Sequence, residues 1–363
     1  MTIRSYRPCR GLVHLSSLNS YLLKWGLSLP SALLRGLSGG GVTYSQGRTL
    51  DPQIQFLWRG FFTRPGGYVG LSLTGKSLET AREEWQATVD LFGLPADIRV
   101  RFENLNEAGA PAGLLIRPER ISEDAPVLVL LHQGGGVLGG PGLSRAFGAL
   151  MAHEAHCPIF IPEYRLAPLN RFPAGLEDAR AAFEWAQANA MRLGARSGQT
   201  AISGILTGAG MALRIALDLQ REDKPLPAGL LLVTPLLDFA DPALKSATTP
   251  ALWPLAAADL DLLADHYAGA GTDLTDPRLS PARAELTEAL PKTLIVSGGF
   301  DPLAFQGEAC ARRLIAAGVP TVYRRYDTLP LGFDLFAGLV EGVQQATQDI
   351  AATWLDLLRH QVA

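Results

Sequence analysis

The sequence predicts an α/β fold built on a mostly parallel, eight-stranded sheet flanked by helices. Three observations carry this. From about residue 98 onward, short apolar and β-branched runs alternate with helical patterns. Several runs are apolar without interruption, Val127-Leu128-Val129-Leu130-Leu131 being the clearest, as strands buried on both faces of a parallel sheet must be. The first strands have no helix between them, so they are expected to be antiparallel.

The expected strands are Ile98–Glu103, Ala112–Arg117, Val127–His132, Ile159–Tyr164, Thr200–Ile205, Leu230–Pro235, Thr293–Gly298 and Thr321–Asp327. The intervening helices are expected at Leu143–Glu154, Leu176–Leu193, Ala209–Leu219 and Phe305–Ala317, with a last one from about Gly338 to Arg359. Residues 1–95 read instead as helix and loop, broken by Ser38-Gly39-Gly40-Gly41. This region is expected to form a helical cap over a sheet domain spanning 96–363. Between Asp238 and Pro281 the alternation lapses around one helical segment, Ala256–Tyr267, and this insertion (about 238–281) is expected to join the cap above the carboxyl edge of the sheet.

Composition excludes several function classes. With 363 residues, 47 % hydrophobic and 18 % charged, the chain can bury a large core. A formal charge of -3 and the lack of a long basic run give no field for nucleic acid. The three cysteines (Cys9, Cys157, Cys310) have neither disulfide nor metal-ligand spacing, which fits a reducing cytoplasm and no bound metal. Polar residues interrupt the stretch after Arg4, Arg7 and Arg10, unlike a signal peptide. No segment approaches the ~20 apolar residues of a membrane span. Leu22–Leu37 is expected to form amphipathic helices that cover a pocket, in preference to touching a membrane surface.

In doubly wound sheets, ligands bind beyond the carboxyl ends of the strands. The expected strand Val127–His132 runs into Gln133-Gly134-Gly135-Gly136, a loop whose backbone N–H groups can point into a cavity and hold a developing oxyanion. His132-Gln133-Gly134-Gly135-Gly136 resembles the His-Gly-Gly-Gly motif of the hormone-sensitive-lipase-like esterases, which are α/β-hydrolases. Tyr164-Arg165-Leu166-Ala167-Pro168, Phe172-Pro173-Ala174, Glu177-Asp178-Ala179, Asp276-Pro277-Arg278-Leu279-Ser280-Pro281 and Gly299-Phe300-Asp301-Pro302-Leu303 match that family in order and spacing, over about 98–336. The departures are Gln133 for a glycine, Gly136 for an aromatic, and Leu169-Asn170 for an acidic residue and a histidine.

The resemblance implies a Gly-x-Ser-x-Gly nucleophile elbow after the strand Thr200–Ile205. That turn reads Gly204-Ile205-Leu206-Thr207-Gly208, with Leu206 at the serine position and Ile205 where an acidic residue is usual. The family's His-Gly-Phe reads Leu331-Gly332-Phe333, so Leu331 replaces the general base. Asp301 keeps the position of the acid. Leucine has no group that can attack a carbonyl or carry a proton. Ser203 is expected to pack in the core, Thr207 to point away from the elbow tip, and His360, the one histidine after Asp301, to lie on the surface.

What remains is a capped cavity with N–H donors at Gly134, Gly135 and Thr207, an apolar floor of Ile205, Leu206 and Leu331, and His132 supporting the loop. No cofactor is called for. The expected partner is an apolar small molecule bearing a carbonyl or carboxylate, and a homodimer is compatible with the sequence. Three functions compete: a non-hydrolytic binding protein, similar to the plant gibberellin receptors; a lyase, isomerase or cyclase using the loop and Asp301; and an esterase with a relocated nucleophile.

Overall fold

The computed structural model describes residues 23–39, 44–45, 47–62, 73, 75, 77–195, 199–244 and 257–359. Eight strands form one sheet: β1 (Val100–Leu105), β2 (Gly113–Pro118), β3 (Val127–Leu131), β4 (Ile159–Pro162), β5 (Thr200–Ile205), β6 (Leu230–Val233), β7 (Thr293–Phe300) and β8 (Thr321–Pro330). They lie in the order β1-β2-β4-β3-β5-β6-β7-β8. β2 runs antiparallel to both its neighbours, and every other pairing is parallel. All eight expected strands are present with ends shifted by a few residues, and the antiparallel start is where it was expected.

β3 to β6 are buried along their whole length, and β3 and β6 are accordingly unbroken runs of Val and Leu. The longer helices are α1 (Leu78–Phe92), α2 (Arg145–Ala155), α3 (Ala174–Ala188), α4 (Thr207–Arg221), α5 (Ala257–Ala268), α6 (Ala304–Ala316) and α7 (Glu341–Arg359). α2 packs against α7 and α3 against α4. The right-handed crossover rule places α2 and α4 on opposite faces of the sheet, because the chain leaves β3 toward β4 but leaves β5 toward β6.

Two local readings need correction. The single helix expected over Leu176–Leu193 breaks at Asn189, whose φ of -119° leaves the helix and whose Nδ2 donates to the Trp185 carbonyl at 2.9 Å. Residues 1–95, read as helix and loop, also contain a short antiparallel ribbon pairing Tyr44–Ser45 with Arg48–Thr49. Of the 22–37 stretch, residues 23–27 and Ser31–Leu37 are helical. Cys9 and the N-terminal arginines lie outside the described residues, as does His360.

The order β4-β3-β5 positions the site. The chain winds from β3 to one side and returns to pair β5 on the other, with Val127 opposite Thr200 and Leu131 opposite Gly204. The turns that follow β3 and β5 therefore emerge side by side, at the switch point of the sheet.

Candidate active site

Leu206 sits at the tip of the turn between β5 and α4 with φ 54° and ψ -117°. This is a conformation that side chains other than glycine rarely adopt. The turn is tight because β5 must reverse directly into α4. The Leu206 N–H donates to the Val233 carbonyl at 3.1 Å, and its own carbonyl accepts from Ala209 at 3.0 Å and Leu236 at 3.2 Å. Close approach dictates the flanking glycines. A methyl group on Gly204 would lie 2.1 Å from the Gly208 carbonyl carbon, and one on Gly208 would lie 2.3 Å from the Leu131 carbonyl oxygen. That second contact presses the start of α4 against the end of β3.

Beyond β3, the glycine loop turns on itself, with the Gly134 carbonyl accepting from Val137 at 3.1 Å and Leu138 at 2.8 Å. Among the described residues, no backbone carbonyl takes the N–H groups of Gly134, Gly135 or Thr207. His132 is buried beneath this loop. Its Nδ1 lies 2.7 Å from the Gln133 carbonyl, and its ring stacks on Tyr164 at 4.1 Å. Burial lowers its proton affinity to about 4, so the ring is neutral and braces the loop as a Nδ1–H donor. The Tyr164 hydroxyl completes the brace by donating to the His132 carbonyl at 2.7 Å.

α5 packs directly onto the loop. Methyl groups on Gly135 and Gly136 would lie 2.2 Å from Leu263 Cδ1 and 2.3 Å from Tyr267 Cε2. The ring of Tyr267 thus occupies the space that an aromatic at position 136 would claim, and it also meets Phe172 and Phe239 at 5.8 and 5.9 Å. Beside Thr207, Met211, Leu236 and Tyr267 lies a cavity of about 10 Å³, room for roughly one water.

Leu331 is buried, and its N–H donates to the Phe300 carbonyl at 3.4 Å, which sets it beside the end of β7. Asp301 follows that strand. Its Oδ1 accepts from the Leu303 N–H at 2.8 Å, while its Oδ2 has no partner among the described residues. Burial pushes the carboxyl up to about 7, against the opposing pull of the Leu303 and Gly298 N–H groups. Ser203 points into the sheet core, fully buried with no partner for its hydroxyl among the described residues. Ile205 is likewise buried.

Three participants were not singled out from sequence. Leu263 and Tyr267 belong to a helix whose docking is set by tertiary packing. Asp334 is buried three residues after Leu331 and accepts a 2.7 Å hydrogen bond from Gln133 Nε2. Its one sequence signal is Gln133 itself, a polar side chain in place of a loop glycine. The described residues contain no cluster of His, Cys, Asp and Glu able to hold a metal. None of their helices is long and apolar enough to cross a membrane.

Comparison with known proteins agrees with this geometry. Residues 128–335 match the family model for the alpha/beta hydrolase fold. The carboxylic ester hydrolase LipN of Mycobacterium tuberculosis is 32% identical over 320 residues, covering 86% of this chain and 83% of its own. The arylesterase of Saccharolobus solfataricus is 31% identical over 232 residues, covering 63% and 74%. Among solved structures, the Pyrobaculum calidifontis esterase superposes with a TM-score of 0.70 at 28% identity, over 78% of this chain and 94% of that one. An esterase from the bacterial hormone-sensitive lipase family gives 0.70 at 26%, over 80% and 95%. The chain is a member of the α/β-hydrolase family, within its hormone-sensitive-lipase-like esterase lineage.

Proposed function

We propose that this chain is a non-hydrolytic member of its family. In this reading it binds an apolar small molecule that bears a carbonyl or carboxylate. The observation that carries the reading is Leu206, which holds the strained elbow conformation of φ 54° while offering no nucleophile. Leu331 at the base position extends the same logic, since no imidazole is left to accept a proton there. The N–H groups of Gly134, Gly135 and Thr207 suit a carbonyl or carboxylate oxygen, and Leu206, Leu263 and Tyr267 suit an apolar body.

Octanoate is a direct probe. Calorimetric titration is expected to give one octanoate per chain, lost in Leu206→Trp, with no hydrolysis of an octanoate ester by the parent. Absence of binding, or ready hydrolysis by the parent, contradicts the reading.

A second reading has its own observation. Asp301 keeps an unpartnered Oδ2 and a proton affinity near 7, the range of an acid or base working at neutral pH. A lyase or isomerase acting through it would lose turnover in Asp301→Asn. The relocated-nucleophile reading has less to stand on, because Ser203 is sealed in the core. It requires covalent labelling by a serine-hydrolase probe.

A further inference from the structure

Gln133 and Asp334 lie 201 positions apart in sequence and meet in the interior, where each is at most 1 % exposed. Gln133 Nε2 donates to Asp334 Oδ2 at 2.7 Å. The two remaining oxygens, Gln133 Oε1 and Asp334 Oδ1, have no partner among the described residues. A carboxylate in this position leaves two buried acceptors with no proton between them, which is costly. A carboxylic acid removes the problem, because Oδ1–H donates to Oε1 while Nε2–H donates to Oδ2, closing a cyclic pair in which all four groups are used.

We propose that Asp334 is held as the neutral acid in a cyclic acid–amide pair with Gln133, and that this pair positions the glycine loop against the loop that carries Leu331. Neither residue touches a ligand in this account. Gln133 acts through its neighbours, since its backbone carbonyl takes the His132 Nδ1 bond and its chain continues into the Gly134 and Gly135 N–H groups. Asp334 acts from the short turn Phe333–Phe336, immediately after Leu331-Gly332. The pair therefore sets the distance between N–H donors and apolar wall whatever molecule occupies the space.

The surroundings agree. The turn packs against α1, α2 and α7. On α7, Asp349 accepts from the Tyr326 hydroxyl and Arg359 pairs with Asp124. Arg82 donates to the Val137 and Ala167 carbonyls, Asp90 accepts from Gln86, and Arg145 lies over the Phe102 ring. His153 accepts from the Arg99 N–H, Glu154 from Gln348 and Glu341 from Gln345. Burial alone raises the Asp334 carboxyl, with its own backbone N–H opposing, and no charged neighbour contributes.

The test joins infrared and NMR spectroscopy on the full chain at pH 6. The parent-minus-Asp334→Asn infrared difference is expected to contain the carbonyl band of a protonated carboxyl. Asp334→Asn should stay folded, because two amides can form the same cyclic pair. Gln133→Leu is expected to shift the Gly134 and Gly135 amide resonances. The reciprocal exchange, Gln133→Glu with Asp334→Asn, rebuilds the pair with its partners swapped and is expected to return them. A carboxylate band in place of the acid band overturns the proposal. So do glycine resonances that ignore Gln133→Leu, or that the reciprocal exchange fails to restore. None of these readouts depends on a ligand, so the proposal stands or falls separately from the binding reading.

Discussion

At the scale of single residues, the proposed reading rests on Leu206 and Asp301. Leu206 is held at φ 54°, where a Cβ costs roughly 1–2 kcal/mol. Glycine ordinarily lowers stability relative to alanine within an element by about 0.5–1 kcal/mol. Here the order is expected to invert, with Leu206→Gly more stable than Leu206→Ala by about 1 kcal/mol in urea melts. Asp301 is the second case. It is a buried carboxyl with an unused Oδ2, so Asp301→Asn should raise the melting temperature at pH 8 while keeping the acceptor for the Leu303 N–H. The turn that carries Leu206 was legible in the sequence because its flanking glycines, Gly204 and Gly208, mark it. The Gln133–Asp334 contact was not. Two side chains 201 positions apart carry no local pattern, and only the packed sheet brings them together.

At the scale of elements, the strands were the most legible part of the molecule, since a strand buried on both faces has to be written in apolar, β-branched residues. The break at Asn189 was missed because apolar periodicity continues through it, and a local hydrogen bond to Trp185 ends the helix instead. The insertion carrying α5 was expected above the carboxyl edge of the sheet, but the contacts of Leu263 and Tyr267 with the glycine loop were not legible, because that loop lies more than a hundred residues earlier in the chain. That docking yields a prediction. Gly136→Ala places a methyl group 2.3 Å from Tyr267 Cε2 and should destabilise the protein by about 1–3 kcal/mol. Adding Tyr267→Ala should recover part of that loss, so a double-mutant cycle is expected to give a coupling well above the ~0.5 kcal/mol of independent sites.

For the whole molecule, two buried carboxyls link stability to pH. Asp301 and Asp334 are both pushed up to about 7 by burial, whereas in the unfolded chain they titrate near about 4. Between these values the folded protein binds protons that the unfolded chain has released, so unfolding becomes easier as pH rises. The contribution is fully present below about pH 4 and lost above about pH 7. Buried His132, lowered to about 4, works the other way between about pH 4 and 6.5, where the unfolded chain binds the proton. The carboxyls are therefore read best above that range: the melting temperature should fall between about pH 6.5 and 8, and the double variant Asp301→Asn, Asp334→Asn should remove that fall. The central claim is that an esterase scaffold has lost its chemistry at two positions and kept its frame. It is tested most directly by assaying a short-chain chromogenic ester with the parent and with Leu206→Ser, Leu331→His side by side. A silent parent and a measurable gain in the double variant are expected, because in the proposed reading the elbow, the N–H groups and Asp301 are already placed for the reaction. Ready turnover by the parent would contradict it, as would a folded double variant that gains nothing.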